Sequence, residues 1–141
     1  MPMKWKGAEA MRLIRMSAAQ RLSGAGMFIR GEARKNISES QSTVLRHHAP
    51  AEGEKKGASY RVGLDPSAPG EFPKKVSGFL RRGVAYEVDT DRLEARIGTN
   101  VPYGKHLEFG TANMEARPWL LKTILENVGT LKQKFGIGRQ I

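Results

Sequence analysis

The stretch that decides the fold is residues 83–99, GVAYEVDTDRLEARIGT. Apolar side chains alternate with polar or small ones on both sides of its centre, a period of two that is typical of strands with one buried face. The apolar positions are Val84, Tyr86, Val88, Leu93, Ala95 and Ile97. The polar run 89–91 between the two halves suits a turn. The sequence therefore predicts an antiparallel β-hairpin.

A long helix is predicted on the N-terminal side of the hairpin, over roughly residues 8–36. Apolar residues recur there at spacings of three and four, which places them on one stripe of a helix. They are Met11, Ile14, Ala18, Leu22, Ala25, Ile29 and Ala33. Gly24, Gly26 and Gly31 interrupt this segment. We expect them to mark a bend or the close approach of another backbone.

A second helix is predicted on the C-terminal side, beginning near Pro118 and ending at Gly136. Proline suits the first turn of a helix, and glycine often follows the last. The expected apolar face is Trp119, Leu120, Ile124, Leu125, Val128 and Leu131. Lys132 and Lys134 fall in the last turn, where cations suit the helix dipole. Between the hairpin and this helix, residues 102–110 predict a short helical turn closed by glycine, with Tyr103, Leu107 and Phe109 buried against the sheet.

The expected fold class is α+β, with an N-terminal and a C-terminal helix packed on a small antiparallel sheet. At 141 residues the chain fits a single domain. We divide it into a basic helix (1–36), an extended loop or arm (37–78), and the sheet with the C-terminal helix (79–141). The arm is rich in proline and glycine, and only residues 58–64 suggest a short strand.

Composition narrows the function. The chain has 24 Lys and Arg against 14 Asp and Glu, a net charge of +10 that suits polyanionic or acidic partners. The surplus is concentrated at the two ends, and residues 1–36 hold eight basic and two acidic residues. The absence of cysteine excludes disulfides and thiolate chemistry. We expect no membrane span and no signal peptide, and a cytoplasm-like compartment.

A set of short motifs follows one another in a fixed order over residues 66–125. A proline-rich approach, PGEFP at 69–73, leads to SGFLRR at 77–82 and then to the hairpin. Tyr103 and a Glu-aromatic-Gly-Thr motif come next, followed by an Arg-Pro-aromatic entry to the last helix. The motif residues after the hairpin are Tyr103, Glu108, Phe109, Gly110, Thr111, Arg117, Pro118 and Trp119.

This pattern resembles the head–tail joining (neck) and tail-completion proteins of long-tailed bacteriophages. The resemblance implies a structural virion protein that joins head to tail, or completes or terminates the tail, as part of a ring around the DNA channel. It implies six-fold or twelve-fold rings and contacts with other neck, portal or tail-tube proteins. It also implies a location at the head–tail junction after assembly in the host cytoplasm, with no cofactor and no membrane.

Glu108 and Arg117 flank one loop, and two interpretations of them remain open. They form either a subunit contact or an internal ion pair that locks the loop onto the last helix. We expect Gly110 to serve backbone geometry and Thr111 to cap the next turn.

The basic residues of the first helix also allow two interpretations. They contact either packaged DNA, whose phosphates need charge but no base recognition, or acidic neighbouring proteins. The candidates are Arg12, Arg15, Arg21, Arg30, Arg34 and Lys35. The alternative function is therefore a small basic protein that binds double-stranded nucleic acid. Arg81 and Arg82 either turn the arm into the sheet or are simply exposed.

We expect neither a metal site nor an enzyme. His47 and His48 are adjacent, so their side chains diverge on a regular element, and His106 lies in no His-Glu-x-x-His motif. The glycine pairs at 24–26 and 136–138 lack the context of a dinucleotide site.

Overall fold

The computed structural model describes residues 6–39, 67–75 and 77–136, together with the backbone of two residue pairs at 44–45 and 63–64. Helix α1 spans Gly7–Glu39, strand β1 Val44–Leu45, strand β2 Gly63–Leu64 and the short helix α2 Phe79–Gly83. Strands β3 (Val84–Asp89) and β4 (Glu94–Thr99) follow, and then helices α3 (Pro102–Phe109) and α4 (Leu120–Phe135). The expected α+β class, with its long N-terminal helix, C-terminal helix and small antiparallel sheet, is confirmed.

The predicted hairpin is present as β3 and β4, which pair antiparallel from Val84↔Thr99 to Asp89↔Glu94. The turn is longer than predicted, because Leu93 belongs to it with a positive φ of 53° instead of opening the second strand. The Asp89 carboxylate accepts the Asp91 and Arg92 N–H groups at 2.9 Å each and so fixes the turn. A hairpin alone is marginal in water, and here α1 packs against both strands.

The core lies where the second half of α1 meets the start of the hairpin and the start of α4. Its buried cluster is Ala33, Ile37, Leu80, Val84 and Trp119. Phe72, Val101, Leu107 and Leu120 pack against this cluster from its edge.

Two of the α1 glycines mark close approaches, but of aromatic side chains and not of another backbone. A Cβ at Gly26 would lie 2.5 Å from Cδ2 of Tyr86, and one at Gly24 would lie 2.8 Å from Cε1 of Phe135. Gly31 has no such neighbour within 4 Å. The small residues therefore let the sheet and α4 sit directly against the helix backbone.

Several predicted details are wrong. Helix α1 runs to Glu39, so the first residues assigned to the arm are helical. The backbone pairs at 44–45 and 63–64 form a short antiparallel ladder inside the segment predicted to be a loop. Of the suggested strand at 58–64, only its last two residues lie among the described ones. No described helix is long and apolar enough to cross a membrane.

Candidate functional site

The centre of the motif is the Glu108 carboxylate, which caps the start of α4. Its Oε2 accepts the N–H groups of Trp119 at 2.8 Å and Leu120 at 3.0 Å, and its Oε1 accepts that of Leu121 at 2.8 Å. The first N–H groups of a helix have no partner within the helix, and they form the positive end of its dipole. Glu108 thus supplies from α3 the cap that the N-cap residue Trp119 does not make with its own side chain.

Of the two interpretations of Glu108 and Arg117, the internal ion pair is wrong, because no salt bridge joins these two described residues, while the subunit contact stays a prediction. Arg117 instead donates from Nε to the Ser67 carbonyl at 2.8 Å and from its backbone N–H to the Leu107 carbonyl at 2.7 Å. The start of α4 offers the Glu108 carboxylate three successive N–H donors. The carboxylate therefore binds these donors and not the Arg117 guanidinium at the far end of the loop. Arg117 therefore ties the segment around Ser67 to the loop between α3 and α4.

Trp119 locks α3 against α4 from inside the core. Its side chain is 2% exposed, and its indole Nε1 donates to the Gly104 carbonyl at 3.1 Å. Gly104 also lets α3 approach the end of β4 closely, because a Cβ there would lie 2.5 Å from Cγ2 of Thr99. One turn into α4, the Thr123 hydroxyl donates to the Trp119 carbonyl at 2.6 Å and accepts from Asn36 of α1 at 3.2 Å.

Most other motif residues also serve the fold. Gly110 has φ 75°, and a Cβ on it would lie 2.8 Å from the Met114 carbonyl, which confirms the expected backbone role. Thr111 pairs with Met114 through backbone bonds and makes no helix cap. Pro118 lies two residues before α4 and not within its first turn. The Tyr103 hydroxyl accepts the Leu80 N–H at 3.0 Å, but the residue is 42% exposed, so its predicted burial against the sheet is wrong.

Phe109 is the exception, because it was expected in the core and is 76% exposed. It lines an open groove of about 550 Å³ between α3 and α4. Leu121, also in this groove, is 56% exposed, and Leu125 one turn further along α4 is 63% exposed. The predicted burial of Leu125 is therefore wrong as well.

The stripe on α1 is buried only in its second half. Ala25, Ile29 and Ala33 are buried, but Met11 is 54% and Ile14 61% exposed. Helix α1 has 33 residues and α4 has 16, so at 1.5 Å per residue α1 is about twice as long. The stripe itself shows only which face of α1 is apolar; the one signal for the exposed end is the predicted length of this helix, which exceeds that of the hairpin strands and of the second helix.

The candidate basic residues of α1 fall into two groups. Arg12, Arg15, Arg21 and Lys35 are exposed and available for contacts. Arg34 is half-buried, and its Nη2 donates to the Arg82 carbonyl at 3.2 Å and the Val84 carbonyl at 3.0 Å. Arg34 therefore fixes the start of the hairpin, a role within the fold that the sequence did not indicate.

Arg30 and Arg34 lie in a crowded cationic environment. Desolvation and then the guanidinium groups of Arg30 and Arg81 lower the pKa of Arg34 from its ordinary value. The Nε atoms of Arg30 and Arg34 are buried and make no hydrogen bond in the described part of the chain. Neither arginine forms an ion pair with a described carboxylate. The local positive charge therefore favours binding of an anionic group from another molecule. Arg81 and Arg82 themselves are exposed on α2, and the Arg82 guanidinium lies 4.9 Å from the Phe79 ring centroid.

The histidines form no metal centre among the described residues. His106 is exposed on α3, while His47 and His48 lie outside the described ranges. No group of three His, Cys, Asp or Glu side chains within those ranges is placed to hold a metal ion.

Comparison of the chain with protein-family models, curated proteins and solved structures finds no match.

Proposed function

We propose that the protein is a structural component of a phage neck, which joins head to tail or completes or terminates the tail as part of a ring around the DNA channel. Its role is mechanical, and it needs no cofactor. The proposal rests first on the ordered motifs over residues 66–125 that resemble the neck and tail-completion family.

The single observation that carries the proposal is the Glu108 cap. The carboxylate, the loop after it and the start of α4 hold one another, so Glu108, Gly110, Arg117 and Trp119 form one structural unit. Motifs that are coupled in this way are retained together when a fold is retained. Their joint occurrence therefore supports a shared fold more strongly than separate short matches would.

The exposed apolar surfaces favour a protein that works in an assembly. Met11 and Ile14 on α1 and Phe109 and Leu121 at the groove each expose more than half of their surface. Clustered apolar exposure of this kind marks interaction sites. The partners we propose are further copies of this chain and the neighbouring neck, portal or tail-tube proteins, with the basic face of α1 turned toward DNA or acidic subunits.

The location is testable by labelling. A C-terminally tagged protein, expressed during an infection or induction of the phage that carries the gene, is detected on purified particles with gold-conjugated antibody. We expect gold at the junction between head and tail. Gold confined to the distal tail tip, or particles without the protein, would overturn the proposal.

An alternative function is binding to double-stranded nucleic acid, and the α1 arginines favour it, because none of them pairs with a described carboxylate. Arg30, Arg34 and Arg81 crowd together, and Arg12 and Arg15 extend the charge along the helix. Phosphate contacts release counterions, so log affinity would fall with log salt by about 0.9 per phosphate neutralised. Titration with duplex DNA at several salt concentrations measures this slope. A flat slope, or no binding at moderate salt, removes the alternative.

A further inference from the structure

We call the first fourteen residues of α1, 7–20, the α1 arm; it continues beyond the part of α1 that packs on α4, and the hairpin-turn residues Thr90 and Asp91 share an open pocket with one of its flanks. Met11 and Ile14 of the arm continue, at helical spacing, the same stripe that Ala25, Ile29 and Ala33 bury in the body. In the arm this stripe is open, since every residue from 8 to 17 is exposed. Among the described residues, nothing covers the stripe at this end of α1.

The groove between α3 and α4 is the matching concave surface. Pro102 and Phe109 of α3 line one side, and Leu121 and Ile124 of α4 line the other, with Trp119 at the floor. Its volume of about 550 Å³ lies in the range of binding clefts, and its lining is mostly apolar. An amphipathic helix that lays its apolar stripe into such a groove is a recurrent mode of recognition.

The arm and the groove of one chain lie at opposite ends of the body. Asn36 of α1 bonds Thr123 near the start of α4, whereas Phe28 of α1 packs on Phe135 at its end, with ring centroids 6.1 Å apart. The two helices are therefore antiparallel, the groove lies at the Asn36 end, and the arm points past the other end. From Asn36 to Ile14 is 22 residues of continuous helix, about 33 Å.

The surface available is enough for a specific contact. On the arm's stripe and at or next to the groove, five large apolar residues are each more than half exposed: Met11, Ile14, Phe109, Leu121 and Leu125. A half-exposed side chain of this size leaves roughly 100 Å² to be buried, so the five supply about 500 Å² before any polar neighbour is counted. The flanks of a helix about 21 Å long bring the total toward the ~1,200 Å² at the low end of specific interfaces.

Opposite charges lie on the two surfaces. Glu9 lies on the arm, where its exposed carboxylate is 3.5 Å from the Lys6 ammonium, and Lys105 is an exposed residue of the groove lining. A groove cation and an arm carboxylate form a complementary pair that fixes register more than it adds affinity.

We propose that the α1 arm of one copy docks in the α3–α4 groove of a second copy. Every copy then gives one arm and receives one, so the contact is heterologous and generates a ring if the rotation closes. The inference rests on the assembly role proposed above. It names the two surfaces, the α1 arm and the α3–α4 groove, through which copies would contact one another.

Cross-linking between copies tests the contact, because the native chain has no cysteine and introduced thiols report only the designed pair. Copies with Ile14→Cys are mixed with copies of different tag length that carry Leu121→Cys, and a short bis-maleimide is added. We expect mixed dimers at least about tenfold above the control, since docking holds the two thiols at an effective concentration near mM. The control replaces the second variant with Glu87→Cys, an exposed position on β3.

Cross-linking at the control level, at the highest soluble concentration, overturns the contact. So does a cross-link that forms within single copies carrying both Ile14→Cys and Leu121→Cys at high dilution, because the arm would then cover its own groove. Both sites are exposed, so the variants are expected to fold, and urea unfolding checks this. If gold marks the junction but no cross-links form, the contact is refuted and the neck function is not. If cross-links form but particles carry no label, the neck function is refuted and the contact is not.

Discussion

At the scale of single residues, Glu108 shows how a motif residue can be explained by the fold, without a catalytic role. Its carboxylate accepts three successive N–H groups at 2.8–3.0 Å and satisfies donors that α4 itself leaves unpaired. Neighbouring Phe109 makes no comparable contact and is 76% exposed. The motif therefore contains one residue that holds the fold and one that faces outward.

Removing the cap is expected to destabilise the protein. Glu108→Ala should lower the free energy of unfolding by about 2–3 kcal/mol, because it removes a charged acceptor from three helix N–H groups. Glu108→Gln keeps one acceptor oxygen and should cost about half as much. Urea unfolding measures both. Glu115→Ala, at an exposed position in the following loop, is the control and should stay within about 0.5 kcal/mol of the parent.

The indole bond of Trp119 yields a second residue-scale prediction. Trp119→Phe leaves the Gly104 carbonyl without its donor inside the core and should cost about 1–3 kcal/mol in free energy of unfolding. Phe109→Leu, at a side chain that faces water, should change it by no more than about 0.5 kcal/mol. Equal losses for the two variants would contradict the assignment of Trp119 to the fold and Phe109 to the surface.

At the scale of elements, α1 is a long helix whose glycines differ in their surroundings. Gly26 faces Tyr86 of β3 with no room for a Cβ, while Gly31 faces open space. Helix propensity alone favours alanine at both positions. Packing therefore decides which glycine the fold requires.

These two glycines form a matched pair for measurement. Gly31→Ala should raise the free energy of unfolding by about 0.5–1 kcal/mol, because alanine costs less backbone entropy in a helix. Gly26→Ala should lower it by about 1–3 kcal/mol, because the new methyl group displaces the Tyr86 ring. Calorimetry or urea unfolding gives both signs. Stabilisation by Gly26→Ala would show that the sheet does not press on α1 there.

The elements were predictable where local pattern and packing agree. Alternation located the hairpin, and Gly136 located the end of α4, where its N–H reaches the Leu131 and Lys132 carbonyls. The start of α4 was placed too early because its cap comes from Glu108 in another helix, which spacing within α4 cannot reveal. The exposure of Met11 and Ile14 was missed for a similar reason, since a stripe shows which face is apolar but not how far the partner elements reach.

At the scale of the whole molecule, the described residues form a small body on one long helix, whose second half is buried and whose first half is exposed. The body buries Ile29 at 1% exposure, whereas the arm leaves Ile14 at 61%. The two isoleucines occupy the same stripe, so any difference in their energetic roles arises from what covers them.

Truncating these side chains separates folding from assembly. Ile29→Ala should cost about 2–5 kcal/mol in free energy of unfolding, the usual range for a cavity in a core. Ile14→Ser should stay within about 0.5 kcal/mol in the dilute monomer, because its side chain is already hydrated there. A large loss with Ile14→Ser in dilute protein would show that the arm is covered within one chain.

The proposed neck function has its most direct test in electron microscopy of lysates from the phage or prophage that carries this gene, after the gene is deleted. The account predicts filled heads lying apart from tails for a joining or completion role, or tails of uncontrolled length for a terminator, with normal particles restored by the gene supplied in trans. Intact, infectious particles in the deletion lysate would contradict the neck function and favour the nucleic-acid alternative.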